Sequence, residues 1–324
     1  MPVMAPDEAA IAAGARALAA GCLVAFPTET VYGLGADSLD PRAVARVFAA
    51  KGRPPDHPLI CHVAAADDLA PLVAHVTPAA RALAGAFWPG PLTLVMPRSD
   101  AVPDAVTGGR DTVAVRVPAH PVALALVRAF GGPVAAPSAN RFGRPSPTSA
   151  ADVDLELGDQ VEVILDGGPC EIGIESTVLD LTTDPPQVLR PGRISAEQIA
   201  HVLGSPVTAE ASGPARAPGM LESHYAPGAR VEVVSELEVA SRAAALADDG
   251  VRVAVLAPMP VTGLPAGALE LGPVGDPDGY AARLYAAFRR ADAAGAQVIV
   301  AVPPPPEGIG VAVRDRLQRA SAGP

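Results

Sequence analysis

Eight short apolar runs, at residues 23–26, 59–63, 92–96, 112–117, 134–136, 161–165, 176–180 and 187–189, punctuate the first two thirds of the chain, with fewer helical segments between them. Runs this short, broken by Gly, Pro, Asn and Asp, read as buried strands. A parallel doubly wound sheet needs a helix in nearly every crossover. A surplus of strands therefore predicts an α/β fold with a twisted mixed sheet and helices packed on it. Asp7 can cap a helix to residue 20 that Gly21 ends, and Asp40 with Pro41 supplies an N-cap and first-turn pair for a helix to residue 50. Ser195 and Gln198 have capping-box spacing and open a helix to about residue 203 that closes the first domain, residues 1–203.

Residues 204–219 mix Gly, Pro, Ser and Ala without periodicity, as a linker does, and lead into the polar segment Glu222-Ser223-His224-Tyr225. The linker is taken as 204–228. After it the pattern becomes strand (231–234), helix (237–248), strand (251–257), helix (280–294), strand (297–302) and helix (308–319), which predicts a smaller three-layer α/β domain over 229–324. With 324 residues, 49% of them hydrophobic, the chain has enough apolar material for two cores.

A net charge of -11 argues against a whole-surface grip on nucleic acid, so a small ligand is expected. Cys22, Cys61 and Cys170 lack the paired spacing that zinc needs and read as inert core thiols. A signal-peptide pattern and an apolar stretch of membrane-spanning length are both missing, and a cytoplasmic protein without a membrane partner is expected. The sequence has no Walker A, GxGxxG, HExxH or GxSxG pattern, so the common nucleotide, zinc-protease and serine-hydrolase readings lose support.

The densest chemical signal is Phe26–Ser38, FPTETVYGLGADS, where a buried strand runs into a loop of hydroxyls, a glutamate and glycines. It reads either as a cradle for a small polar ligand or as a turn with satisfied hydroxyls. Lys51 is the one lysine among 24 lysines and arginines, and with Arg53 it stands between a helix and a strand, an arrangement that suits a polyphosphate. A lone histidine in an alternating strand, as His62 is, is more often a satisfied core residue than a ligand. Arg116 lies in an apolar strand, where its charge needs an anion, and a ligand carboxylate is favoured over a buried ion pair. Ser138 and Asn140 sit at the C-terminal end of a strand, followed by Arg141, Arg144 and Ser146, either as an anion site or as a turn. Glu175-Ser176-Thr177 and Arg190 complete the set.

Together and in this order, PTETVYGLG, KGRP, PLICHV, FWPGPLT, VAVRVP, APSAN, GIESTV, LRPG and SHYAP resemble the threonylcarbamoyl-AMP synthases in their long form, whose catalytic domain has the YrdC-like fold. The resemblance implies an enzyme that makes threonylcarbamoyl-AMP and pyrophosphate from L-threonine, bicarbonate and ATP for tRNA modification. It implies Thr30, His62, Arg116, Ala136 and Ser176 as the threonine pocket. It implies Lys51, Arg53, His57, Thr112, Ser138, Asn140, Ser146, Arg190 and Tyr225 as ATP contacts, with Lys51 and Arg53 catalytic, Tyr225 bringing the linker into the site, and no protein-bound metal. Mg²⁺ is expected to accompany ATP, and a tRNA-modifying transferase to accept the product. Whether the chain binds tRNA directly is left open. His57 departs from the family's usual Asn, which introduces a pH dependence that an amide lacks. Two alternatives remain: a non-catalytic RNA-binding module with the same core, and the carbamoyl transferases of hydrogenase maturation, whose zinc-binding cysteine pairs this chain cannot form.

Overall fold

The computed structural model describes residues 3–209 and 225–323. Two units emerge: one of Met1–Phe142, Pro147–Glu171 and Glu175–Met220, the other of Gly143–Ser146, Ile172–Ile174 and Leu221–Pro324. Of the linker expected at 204–228, residues 210–224 lie outside the described residues, and with them Ser223 and His224 of the SHYAP segment.

In the first unit the strands are β1 (Val3–Met4), β2 (Val24–Phe26), β3 (Gly33–Asp37), β4 (Ile60–His62), β5 (Leu92–Pro97), β6 (Thr112–Arg116), β7 (Val134–Ala135), β8 (Val163–Leu165), β9 (Thr177–Asp180) and β10 (Gln187–Arg190). They form one sheet in the order β1-β8-β2-β3-β7-β4-β6-β5-β9-β10. The pairing is mixed as expected: β4 runs parallel to β6 and β5 to β9, while β3 with β7, β7 with β4, and β5 with β6 are antiparallel. Helices α1 (Glu8–Ala19), α2 (Pro41–Lys51), α3 (Pro78–Phe87), α4 (Asp104–Thr107), α5 (Pro121–Phe130), α6 (Ala150–Leu157) and α7 (Ala196–Leu203) complete the unit.

The helix starts follow their local chemistry. Asp7 accepts from Ala10 N and Asp40 from Arg42 N, each satisfying a first-turn N–H that has no partner within its own helix. Ser195 and Gln198 form the full reciprocal box at α7. Gly52 ends α2 in the left-handed conformation, φ 62°, which leaves Lys51 as the helix's last residue.

Two strands were not among the eight apolar runs. β1 has only two residues, too few for a pattern. β3 reads as loop because of Gly33 and Gly35, yet it is central in the sheet, paired to β2 and β7. A Cβ on Gly35 would stand 2.8 Å from the Phe26 ring and 3.0 Å from Val134, so Phe26 fills the volume that a side chain on this strand would take.

In the second unit β11 (Arg230–Val233), β12 (Val253–Leu256), β13 (Leu269–Glu270) and β14 (Val298–Ala301) form an all-parallel sheet in the order β11-β14-β12-β13. Helix α8 (Val239–Asp248) packs Val239, Ala243 and Leu246 on Val253, Val255, Val298 and Val300. Helices α9 (Pro277–Ala293) and α10 (Ile309–Ser321) complete the α/β architecture expected of this part.

Candidate active site

A strand presents alternate residues to one face, so each apolar residue of a strand predicts what its neighbour two positions on will face. Ile60, Val95, Ala114, Val178 and Leu189 form a small apolar cluster on one face of the first unit's sheet. Two residues on from Ile60 and Ala114 stand His62 and Arg116, and two residues before Val95 and Val178 stand Thr93 in β5 and Ser176 just ahead of β9. Register carries the row across the sheet: Val134 lies opposite His62, His62 opposite Arg116, and Thr93 opposite Val178. β10 joins through a bulge. Val188 pairs with Leu179 and Arg190 with Val178, so one extra residue in β10 turns Arg190 toward this row.

Hydrogen bonds tie the row together. Thr93 Oγ1 and Ser176 Oγ are 2.8 Å apart, and Arg190 donates from Nε to Ser176 O at 3.0 Å and from Nη2 to Ser176 Oγ at 3.2 Å. Gly192 makes this closeness possible: a Cβ there would lie 2.3 Å from Thr177 N and 2.7 Å from Ser176 C. Arg116, 3% exposed, donates from Nη1 to Thr30 Oγ1 at 2.9 Å and from Nε to Gly90 O at 3.1 Å. Thr30 Oγ1 in turn lies 2.8 Å from Thr28 Oγ1, within the loop that follows β2.

Arg116 also has an anion within the protein. Its Nη2 lies 2.7 Å from Glu29 Oε1, both side chains being buried. Arg116 is therefore paired to Glu29 within the protein, whereas the sequence reading favours a ligand carboxylate as its partner. The two charges touch without an aligned N–H between them, and neither Glu29 oxygen has a hydrogen-bond donor among the described residues. His62 is neutral here. Burial, and then the neighbouring Arg116 charge, push its pKa down to about 3, and its Nδ1 has no hydrogen-bond partner among the described residues. The Phe26 ring meets it edge-on at 6.2 Å. Ala136 follows β7, its N–H bonded to Ile60 O.

The second cluster surrounds Lys51. This side chain is 3% exposed, and Nζ donates to Ser138 O at 2.5 Å, to Asn140 O at 2.5 Å and to Asn140 Oδ1 at 3.4 Å, all uncharged oxygens. Burial and then the Arg53 charge hold its pKa well below the lysine range. The lysine and the Ser138–Asn140 loop, 87 residues apart in sequence, are thus one unit of structure. Arg53 donates to Pro58 O at 3.1 Å and lies 5.9 Å from the centre of the Phe142 ring. His57 packs on the same ring at 5.5 Å. Its pKa is lowered by partial burial and by Arg53, so its titration falls further to the acid side than that of a free imidazole. Thr112 opens β6, half-buried, opposite Pro97.

Ser146 and Tyr225 belong to the second unit. There Tyr225 holds a left-handed backbone, φ 64°, with the Tyr285 ring at 5.8 Å and the Arg316 guanidinium 5.2 Å over its own ring. Cys61 and Cys170 are buried thiols with pKa values pushed up to about 12 by burial, while Cys22 is only half-buried. Among the described residues no three His, Cys, Asp or Glu side chains converge as a metal cage, and no helix is long and apolar enough to cross a membrane. Glu29 and Thr93 were absent from the sequence-derived site. The signal for Thr93 is its two-residue spacing from Val95, while Glu29 is the glutamate of the Phe26–Ser38 segment, present in the signal but given no role.

Residues 16–192 match a family model for Sua5, YciO and YrdC proteins, described as telomere recombination, and residues 194–322 match the threonylcarbamoyl-AMP synthase C-terminal domain. The threonylcarbamoyl-AMP synthase of Pyrococcus abyssi is 46% identical over 313 residues, covering 93% of this chain and 91% of that protein. The Bacillus subtilis protein of the same name is 41% identical, covering 98% and 94%. Among solved structures, P. abyssi Sua5 complexed with L-threonine superposes with a TM-score of 0.90 at 44% identity, over 96% of this chain and 94% of that one.

Proposed function

The chain belongs to the threonylcarbamoyl-AMP synthase family, and from that premise we propose that the row from Thr30 to Ser176 holds L-threonine while the Lys51 cluster holds the phosphates of ATP. The activity is synthesis of threonylcarbamoyl-AMP, an ATP-using nucleotidyl transfer in the service of tRNA modification. The observation that carries the site assignment is Lys51: a buried side chain whose hydrogen-bond partners are two carbonyls and one amide oxygen, where burial and the Arg53 charge outweigh the opposing pull of the Glu156 and Glu175 carboxylates. A cation so placed is costly until an anion arrives.

In the proposed reaction the threonine amine joins bicarbonate to give an N-carboxy carbamate, and a carbamate oxygen attacks the α-phosphorus of ATP in line, expelling pyrophosphate. Thr30, His62, Ala136 and Ser176 surround the amino acid, and Arg116 takes its carboxylate. Lys51, Arg53 and Arg190 offset the charge on the phosphates, with His57, Thr112, Ser138 and Asn140 as further ATP contacts. No protein nucleophile is required. The protein's task is to hold two mutually repelling anions in line, and alignment of this kind supplies roughly 7–11 kcal/mol of a barrier in favourable systems. The described residues offer no acidic cage for Mg²⁺, so the ion would enter on the triphosphate, its usual mode of binding, and would shield phosphate charge there. The product would pass to a tRNA-modifying transferase in the cytoplasm.

The test is an omission assay. Purified protein with ATP, L-threonine and bicarbonate should release pyrophosphate and form a labile adenylate, and leaving out any one of the three should stop both. Pyrophosphate release that ignores threonine or bicarbonate would refute the reading.

A further inference from the structure

We propose that Glu29 recognises the α-ammonium of the amino-acid substrate and accepts the proton that this group must lose before its nitrogen can react. The inference rests on the reading of the Thr30–Arg116 pocket as an amino-acid site, and it assigns a role to a residue outside the family-derived set.

The first observation is that Glu29 is an under-satisfied anion. It is 7% exposed, and neither carboxylate oxygen receives a hydrogen bond among the described residues. A buried carboxylate ordinarily collects two or three donors, because losing water without replacing its hydrogen bonds is costly. Arg116 supplies charge at 2.7 Å, but its aligned N–H bonds go elsewhere, to Thr30 Oγ1 and Gly90 O. The pair therefore has charge balance without hydrogen-bond balance. What Glu29 lacks is a donor.

The second observation is complementarity. An α-amino acid carries a carboxylate and an ammonium on one carbon, and Arg116 beside Glu29 presents the opposite charges on neighbouring atoms. When a substrate carboxylate takes up Arg116, the carboxylate of Glu29 loses its counter-charge. The substrate's ammonium then supplies both the missing charge and the missing N–H donors. Lys51 is not needed for this, since its Nζ is held by Ser138 and Asn140.

The chemistry needs a proton acceptor at this point, because an ammonium nitrogen has no free electron pair. One N–H bond breaks and its proton passes to Glu29 and on to solvent. The freed pair forms the C–N bond to the carbon of bicarbonate. The C–OH bond breaks, and the hydroxide leaves as water with a second proton from the nitrogen. Atoms and charge balance, and nothing is oxidised or reduced.

The test measures binding of L-threonine and of 3-hydroxybutyrate, the same molecule without the ammonium, by calorimetry, alongside turnover. Wild-type protein should prefer threonine by on the order of 10- to 100-fold, the range for a hydrogen bond to a charged group. Glu29→Gln should lose most of that preference, bind 3-hydroxybutyrate at least as tightly as wild type does, and turn over at least tenfold more slowly. A purely structural partner of Arg116 would weaken both ligands equally. Should Glu29→Gln fail to fold, Glu29→Asp, which keeps the charge one methylene further back, should show a reduced preference. An unchanged preference in whichever variant folds, or equal binding of the two ligands by wild type, overturns the inference while leaving the amino-acid pocket intact. Wild-type protein that binds neither ligand overturns the pocket as well.

Discussion

Replacing Lys51 by Met separates the two roles of a buried cation, because the structure sets its effects on folding and on chemistry far apart. Two carbonyl oxygens, of Ser138 and Asn140, lose a donor at 2.5 Å. Each acceptor left buried and unsatisfied costs ~1–3 kcal/mol. Against this, the substitution removes a charge that burial and Arg53 disfavour more than Glu156 and Glu175 favour it, as its lowered pKa records, and leaves apolar volume in its place. The opposing effects leave a net loss of at most about 3 kcal/mol, against the 5–15 kcal/mol typical of a folded domain. For a unit of this size that is a fall in Tm of roughly 10 °C or less. Chemistry should suffer far more: losing one fixed donor aimed at developing charge costs on the order of 10²–10³ in kcat. The sign with pH gives an internal check. A lysine whose folded pKa is depressed makes the fold less stable as pH falls below the ordinary value of 10.5, so Lys51→Met should flatten that dependence. The assay is pyrophosphate release with all three substrates, with thermal melts on the same samples. Activity within tenfold of wild type, or unfolding at the assay temperature, would refute the reasoning.

Further outcomes follow from other residues of the site. His62 is neutral in the fold with its pKa at about 3 but titrates near 6.5 when unfolded, so stability should drain away as pH falls through that window, by ~1.4 kcal/mol per unit at most; acid unfolding of His62→Gln with an unchanged pH slope would contradict this. Gly192→Ala drives a Cβ to 2.3 Å from Thr177 N, and should cost ~1–3 kcal/mol in chemical denaturation and weaken threonine binding with it; a native denaturation midpoint would show that the loop can yield. Ser176→Ala removes the hydroxyl's bonds to Thr93 and to Arg190 Nη2 while keeping the Arg190 Nε bond to the Ser176 carbonyl, and should weaken threonine binding by about tenfold with folding nearly intact; calorimetry showing wild-type affinity would remove Ser176 from the pocket.

Local chemistry in the sequence determined where helices begin, because a cap is a contact between residues two or three apart: Asp7, Asp40 and Ser195 act as read. It also determined the strand-rich mixed sheet, since burial of alternating or continuous apolar runs needs no knowledge of partners. The solitary lysine marked itself through composition alone. Only tertiary structure decided the rest. β3 was hidden because its glycines are filled by Phe26 from the neighbouring strand, a packing relation that no local pattern records. Arg190 reaches Ser176 through a bulge that is defined only by its pairing with β9. Glu29 gains its meaning from Arg116, 87 residues further along the chain, and from the hydrogen bonds it does not receive. Charge balance and unmet hydrogen bonds are properties of a neighbourhood. A sequence names the groups, and folding alone decides which of them are left wanting a partner.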